Sequence, residues 1–418
     1  MFKTTLCLMA GVAAGTSTSG AYADTATSSD EVRAIVAEML NDAETRSSLL
    51  QGGGSAGWDD GFFIESGDGS HRLNVGALIQ FRYVASFRDD DAVGMEDDFD
   101  GDFQSRNTRL TFDGTLFDNW FYKIQGNFSR AGGANFLEDA YGGYKFEDGS
   151  WFGFGQGKAP FSREELVDEG HQLAIETSQV NQYFGAGRTQ GLVYGWDSDS
   201  FRGMVSLNDG INRANTDLGT GTLGDSDFAI TARGEFLLEG SWDQFEDFTS
   251  RQGSEDGFML GVAGHFQTGP GDVMGAEADV FAYTVDASYE SDGWNLFAAI
   301  VGREIDIDGG ADGHDYGVVL QGGVFVSEDT ELYARYGHIF LDDNAVPMGS
   351  GDESAEFAFG VNHYFEGHNA KFSADIVYYL DEATSGIGGA VGADTAIGRL
   401  GDNDDGEISF RAQMQLAF

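Results

Sequence analysis

Between Trp120 and Ser129 the side chains alternate in character with a period of two, and this alternation limits the fold more than any other feature. Trp120, Tyr122, Ile124 and Phe128 share one parity, while Lys123, Gln125, Asn127 and Ser129 share the other. Successive side chains of an extended strand point to opposite faces, so this strand has one apolar and one polar surface. Such a strand needs a dry medium on one side and water on the other. In a soluble sandwich the apolar face is the core; in an outer-membrane barrel it meets lipid and the polar face lines a lumen.

Three features of the chain favour the barrel. First, the N-terminus has the form of an export signal. Lys3 supplies a positive n-region, Thr4 to Gly15 a moderately apolar run, and Ala21-Tyr22-Ala23 a small-residue cleavage site. Residues 1–23 are expected to be removed, and with them Cys7, the one cysteine, which leaves no disulfides or thiolate metal sites. Second, no later run of about eighteen apolar residues occurs, which excludes membrane helices but not strands. Third, sixteen alternating segments follow one another from His71 to the end, beginning near residues 71, 103, 120, 137, 151, 191, 201, 228, 258, 280, 294, 316, 331, 355, 370 and 407. Each has the roughly nine to eleven residues that a tilted barrel strand needs. Asp68-Gly69 marks a hairpin turn before the first of them.

The final segment ends the choice. Ile408, Phe410, Ala412, Met414, Leu416 and Phe418 lie on one face, and Ser409, Arg411, Gln413 and Gln415 on the other. An alternating last strand closed by an aromatic resembles the insertion signal of bacterial outer-membrane proteins, which gives Phe418 the role of an assembly address read by the barrel-assembly machinery. The expected fold is all-β, a transmembrane antiparallel β-barrel of about 16 strands over residues 58–418. Residues 24–57 are expected to form a short N-terminal periplasmic α-helix, about Asp30 to Gln51, and a flexible linker. Ser28 and Glu31 supply a capping box for it and Gly52-Gly53-Gly54 a stop. Two readings of that helix stay open: packing on the barrel rim, or self-association in a trimer.

The stretch from Arg106 to Arg188 also resembles a known family, the phosphate-selective porins O and P. The matching pieces are Arg106-Asn107-Thr108-Arg109-Leu110, Phe121-Tyr122-Lys123, Leu137-Glu138-Asp139-Ala140-Tyr141, Gly155 to Ser162, and Glu176 to Gly191. The resemblance implies a homotrimeric sixteen-stranded porin in the outer membrane. It also implies that residues 160–188, with Pro160, Arg163, Glu176 and Arg188, fold into the barrel as a constriction loop. The chain departs from the family pattern at Asn107 and Thr177, where arginines are expected, so two anion ligands are missing.

The polar parity assigns the lumen. Arg82, Arg109, Lys123, Lys145 and Lys158 point inward before Pro160, against Asp113 and Asp139. A basic excess in a narrow aqueous channel attracts anions. Arg82, Arg109, Lys123, Asp139 and Lys158 are therefore the expected pore-lining, anion-selecting residues, although Asp139 also serves simply to orient a neighbouring cation. The formal charge of -47 sits largely in loop runs such as Asp89-Asp90-Asp91 and Asp402 to Glu407. It argues against nucleic acid as a partner. The acidic loops lack the terminal bidentate glutamate of an EF-hand, so no metal is expected there. The seven histidines form no helical ligand pair and no G-x-S-x-G elbow occurs, so neither a catalytic residue nor a cofactor is expected. The function expected is passive diffusion of small anionic or neutral solutes. The alternatives are a general or cation-preferring porin governed by acidic loops, a barrel-embedded hydrolase, and a secreted acidic β-protein.

Overall fold

The computed structural model describes residues 53–59, 61–87, 99–129, 136–216, 226–273, 276–310, 312–342, 352–381 and 406–418. The export signal, the Asp30–Gln51 helix and the acidic runs at 89–98 and 402–405 lie outside them.

Two short strands, β1 (Ser55–Trp58) and β2 (Phe62–Glu65), precede the wall. The wall itself has sixteen strands: β3 (Arg72–Phe87), β4 (Phe99–Leu116), β5 (Trp120–Asn127), β6 (Phe136–Lys145), β7 (Ser150–Lys158), β8 (Arg188–Asp197), β9 (Phe201–Asn208), β10 (Phe228–Glu239), β11 (Gly257–Val273), β12 (Ala276–Ser291), β13 (Trp294–Ile307), β14 (Gly313–Ser327), β15 (Thr330–Phe340), β16 (Glu353–Glu366), β17 (Ala370–Tyr379) and β18 (Glu407–Ala417). Every neighbour pair is antiparallel, and β18 closes on β3 from Ile408 opposite Phe87 to Ala417 opposite Leu78. The barrel is therefore closed and leaves no edge among these strands.

At the seam the chain end is built into the ladder. Phe418 accepts from Ala77 N at 2.9 Å and donates to Ala77 O at 3.1 Å. Beyond it β2 continues alongside β3, from Phe62 opposite Val75 to Glu65 opposite Arg72. The Phe62 and Phe418 rings meet edge to face at 5.6 Å. The linker expected to run flexibly through residue 57 is thus corrected at its end, because Ser55–Gly57 pair with Phe63–Glu65.

The outward parity is apolar around the whole wall, with Phe81, Leu110, Ile124, Leu192, Phe281, Ile300, Phe359 and Ile376 all exposed. Lumen-facing residues on β3 to β9 are mostly polar, as alternation requires, with Phe121, Tyr141, Trp151, Val193 and Met204 an apolar group among them. On β12 to β17 the inward parity is partly apolar too, with Ala282, Phe297, Val301, Val319, Tyr333, Ile339, Ala358 and Val377 buried. A hydrophobic core therefore sits inside the barrel, on one side of it.

Two β-bulges break the parity on the other side. Between β3 and β4 the register slips from Gln80 opposite Asn107 to Phe81 opposite Ser105. Between β5 and β6 it slips from Gln125 opposite Asp139 to Gly126 opposite Leu137. A bulge leaves one extra residue unpaired, and here Arg106 and Glu138 take those places beside Asn107 and Asp139.

Candidate pore and its constriction

The chain leaves β7 at Lys158 and returns as β8 at Arg188, and the residues between lie against the lumen wall. They form a short helix α1 (Arg163–Leu166), a 3-10 turn (Glu169–His171) and a second helix α2 (Gln179–Phe184). Ser178 caps α2 by accepting from Asn181 N at 3.0 Å, and Glu164 takes the Ser178 hydroxyl at 2.7 Å. Phe161, Val167, Leu173, Ala174, Val180 and Phe184 are buried against the inner apolar residues of β12 to β17. Gly317 makes the close approach possible: a Cβ there would lie 2.7 Å from both Phe184 and Val180. Each large apolar side chain removed from water contributes about 1.5–3 kcal/mol, so the seat holds the loop without help from charge.

Charge nevertheless completes the seat, because an irregular segment must find partners for its own peptide groups. The wall's side chains supply them. Arg233 donates to Phe161 O (2.9 Å), Lys371 to Gln172 O (3.0 Å), Asn362 to Leu173 O (2.8 Å), Arg335 to Glu176 O (2.6 Å) and Arg303 to Tyr183 O (3.3 Å). The turn Glu169–His171 is held astride the seam: Gln80 of β3 donates to Glu169 O and Gln415 of β18 to Gly170 O. These cations also carry carboxylate partners, such as Asp286 for Arg233, Asp315 for Arg303 and Glu356 for Arg335.

On the opposite side the expected pore-lining residues come together as one ion-paired cluster. Arg82 meets Glu176 at 2.7 Å, and the bulged Arg106 meets the same carboxylate at 2.5 Å. Arg109 bridges Glu138 at 2.6 Å and Glu169 at 2.8 Å. Asp139 accepts from Arg188 at 2.8 Å and faces Lys123 at 3.3 Å, and Lys158 lies 3.6 Å from Glu169. Burial alone would raise the Glu176 carboxyl, but Arg106 and Arg82 overcome it and hold it down at about 2. Glu169 behaves likewise: burial opposes ionisation, and Arg109 and Lys158 drive its carboxyl well below the usual range.

The cluster corrects the expected lumen balance. Asp113 and Asp139 were the only opposing acids read from parity. The structure adds Glu138 through a bulge, and Glu169 and Glu176 through the infolded loop. Six cations (Arg82, Arg106, Arg109, Lys123, Lys158, Arg188) pair directly with four carboxylates (Glu138, Asp139, Glu169, Glu176), a formal excess of two within the ion pairs, with the Asp168 and Glu165 carboxylates standing beside them. Parity could not have shown Arg106 or Glu138, since both break it; the two adjacent polar pairs Arg106-Asn107 and Glu138-Asp139 are the only trace in sequence. Asn107 is occupied differently from an anion ligand. It is one link in a buried amide chain running from Asn127 through Asn107 and Gln80 to Gln415, at 2.6–2.8 Å per link. Pro160 is buried at the loop's start. Arg163 does not face the cluster: it donates to Ser288 Oγ (2.8 Å) and Asp247 O (3.0 Å) and lies 4.9 Å from the Phe248 ring.

Asp247 and Phe248 belong to a second infolded segment that the sequence reading missed. Residues 240–256 join β10 to β11 at the end where the other turns are short, and Phe245, Phe248 and Ser250 are buried. Phe248 packs on Phe297 at 5.0 Å, and His368 reaches Asp247 at 3.0 Å. Burial holds the His368 imidazole down at about 4, against the pull of Asp247. Two segments thus enter the barrel from opposite ends and meet at Arg163.

Comparison with known proteins agrees with this architecture. Residues 78–267 match the family model described as phosphate-selective porin O and P. The anion-selective porin from Comamonas acidovorans superposes with a TM-score of 0.59 at 13% identity, over 83% of this chain and 99% of that one. The outer membrane channel DcaP of Acinetobacter baumannii gives 0.56 at 16% identity, over 83% and 98%. Salmonella typhi OmpF, in complex with daunomycin, gives 0.57 at 11% identity, over 87% and 100%. No curated protein matches the chain. Residues 78–267 thus resemble the phosphate-selective porin O and P family, within a closed sixteen-stranded antiparallel barrel of the fold seen in porins.

Proposed function

We propose that the chain works as a passive channel for small hydrophilic solutes, with a weak to moderate preference for anions. The excess of two cations in the ion-paired cluster carries this reading. The far larger acidic charge of the chain lies mostly in loop runs, where salt screens it over roughly 8 Å. Of the cluster's cations, Lys123 and Lys158 line the remaining open passage, where screening by solvent is less complete. Pairing with carboxylates keeps the preference small. With Asn107 tied into the amide chain and Thr177 in place of a second arginine, phosphate binds more weakly than the family name suggests.

The same reading includes export, removal of residues 1–23, a periplasmic helix in residues 24–57, insertion in outer-membrane lipid, and assembly as a homotrimer. OmpT of Vibrio cholerae, a structural neighbour with a TM-score of 0.53 at 14% identity, is described in a trimer form. Reversal potential across a planar bilayer in a KCl gradient tests the selectivity. A small chloride preference is expected, and cation preference that survives high salt would give the channel to the acidic loops instead. Cross-linking in mild detergent tests the trimer.

A further inference from the structure

Between β5 and β10 the lumen keeps a cavity of about 700 Å³ that neither infolded segment fills. Its wall is unexpectedly aromatic for an aqueous channel. Phe121 and Trp151, on inward parity, meet edge to face at 6.0 Å, and Tyr141 stands 6.4 Å from Phe121. Both rings lie directly on glycine backbone: a Cβ at Gly143 would come within 2.2 Å of the Phe121 ring, and one at Gly195 within 2.3 Å of the Trp151 indole. Neither Cβ could be added without displacing a ring. Val193, Met204 and Phe245 extend the apolar surface across the cavity. Such a surface in contact with water is unfavourable unless something apolar covers it.

The charge beside this corner is positive and uncommitted. Lys145 Nζ lies 5.9 Å from the Phe121 centroid, and Lys145 forms no ion pair among the described residues. The acids on the same cavity are largely engaged. Asp139 is held by Arg188 and Lys123, Glu235 by Arg233 at 2.8 Å, and Asp197 faces Arg202 at 3.9 Å. Asp168 accepts from Gly170 N, while Glu246 is exposed.

We infer that this corner is a binding site for aromatic carboxylates, with the ring of the solute on Phe121 and Trp151 and its carboxylate on Lys145. The cavity is of a size that takes a small organic molecule. An aromatic pair adds specificity through ring geometry, and a lysine acts on a carboxylate as a point charge. The site lies at the short-turn end of the strands, so a solute that has passed the constriction meets it before leaving. The inference rests on the channel reading but not on the sign of its small-ion preference.

Planar-bilayer recordings of the full-length channel at fixed ionic strength test it, with benzoate, acetate and benzylammonium added in turn. Benzoate is expected to reduce the current saturably, and the other two are not. Lys145→Gln and Trp151→Ala are each expected to weaken the benzoate block roughly three- to ten-fold, the range of one aromatic or cationic contact. Trp151→Leu, which keeps bulk, replaces the alanine variant if that one fails to insert. Equal block by acetate overturns the aromatic part, and equal block by benzylammonium overturns the anionic part. An unchanged block in both variants places the site elsewhere and overturns the assignment. Reversal potential in KCl, read on the same channels, reports the small-ion preference independently, so failure of either reading is recognised separately.

Discussion

The two halves of the lumen use the same residue types for opposite ends. On β10 to β17, arginine and lysine side chains reach loop carbonyls and buried carboxylates, and the apolar residues between them pack on Phe161, Leu173, Val180 and Phe184. On β5 to β9 Lys123 and Lys158 line the passage that remains open, while Arg82 and Arg109 lie buried in their ion pairs. An inward-facing cation is thus a building element on one wall and, as Lys123 or Lys158, a contact for permeating ions on the other. Its role follows from what stands opposite it, not from its parity.

The largest expected effect comes from removing what divides the halves. Replacing residues 164–184 by a short glycine-serine linker should raise single-channel conductance several-fold while the barrel still shows heat-modifiable migration. Unchanged conductance would mean that the loop does not narrow the passage. Next, Val180→Ala with Phe184→Ala should weaken the loop seat by about 3–5 kcal/mol in all. The result would be noisy, intermittently wider channels rather than an unfolded barrel.

Charge reversal sharpens the contrast between walls. Lys123→Glu with Lys158→Glu should move the reversal potential towards cations, whereas Arg303→Gln on the packed wall should lower thermal stability and leave selectivity in place. Equal shifts from both would erase the distinction. Acid acts on one anchor with a defined sign. Glu176 is depressed to about 2, so its contribution is present above the ordinary glutamate value of about 4.3 and is lost only as pH falls through about 2. Conductance should therefore hold steady from pH 7 to 4 and rise towards pH 2, and Glu176→Gln should bring that rise to neutral pH. The smallest effect is expected from Phe418→Ala, which should slow insertion, followed as outer-membrane yield, without altering conductance of the channels that insert.

Much of the fold was legible because lipid and water impose alternation on every strand, and the sixteen segments stand near where alternation places them. The site was legible in part. Arg82, Arg109, Lys123 and Asp139 do converge on their strands' parity, and Lys158 joins them because the alternation breaks at Gly155, between exposed Phe154 and buried Gln156. Arg106 and Glu138 were not, because a bulge is a property of two strands in register and no single strand announces it. The inner core of β12 to β17 does leave a signal. Runs such as Leu296-Phe297, Val318-Val319-Leu320 and Ile376-Val377 are apolar on both parities, which a strand between lipid and water would not be. The infolding of 240–256 left only an unusually long connection where its neighbours are short.

The turn Glu169–His171 has a consequence for how the molecule forms. Its carbonyls are held by Gln80 and by Gln415, 89 and 245 residues away along the chain, and those two side chains bond each other across the seam at 2.8 Å. The first and last wall strands therefore share a clasp that comes from the middle of the sequence. Before the cylinder shuts, the turn can grip one strand at most. Loop docking and closure consequently reinforce each other, and a half-zipped barrel lacks both. Such coupling through contacts of very long sequence separation makes the final step slow to reach and hard to reverse.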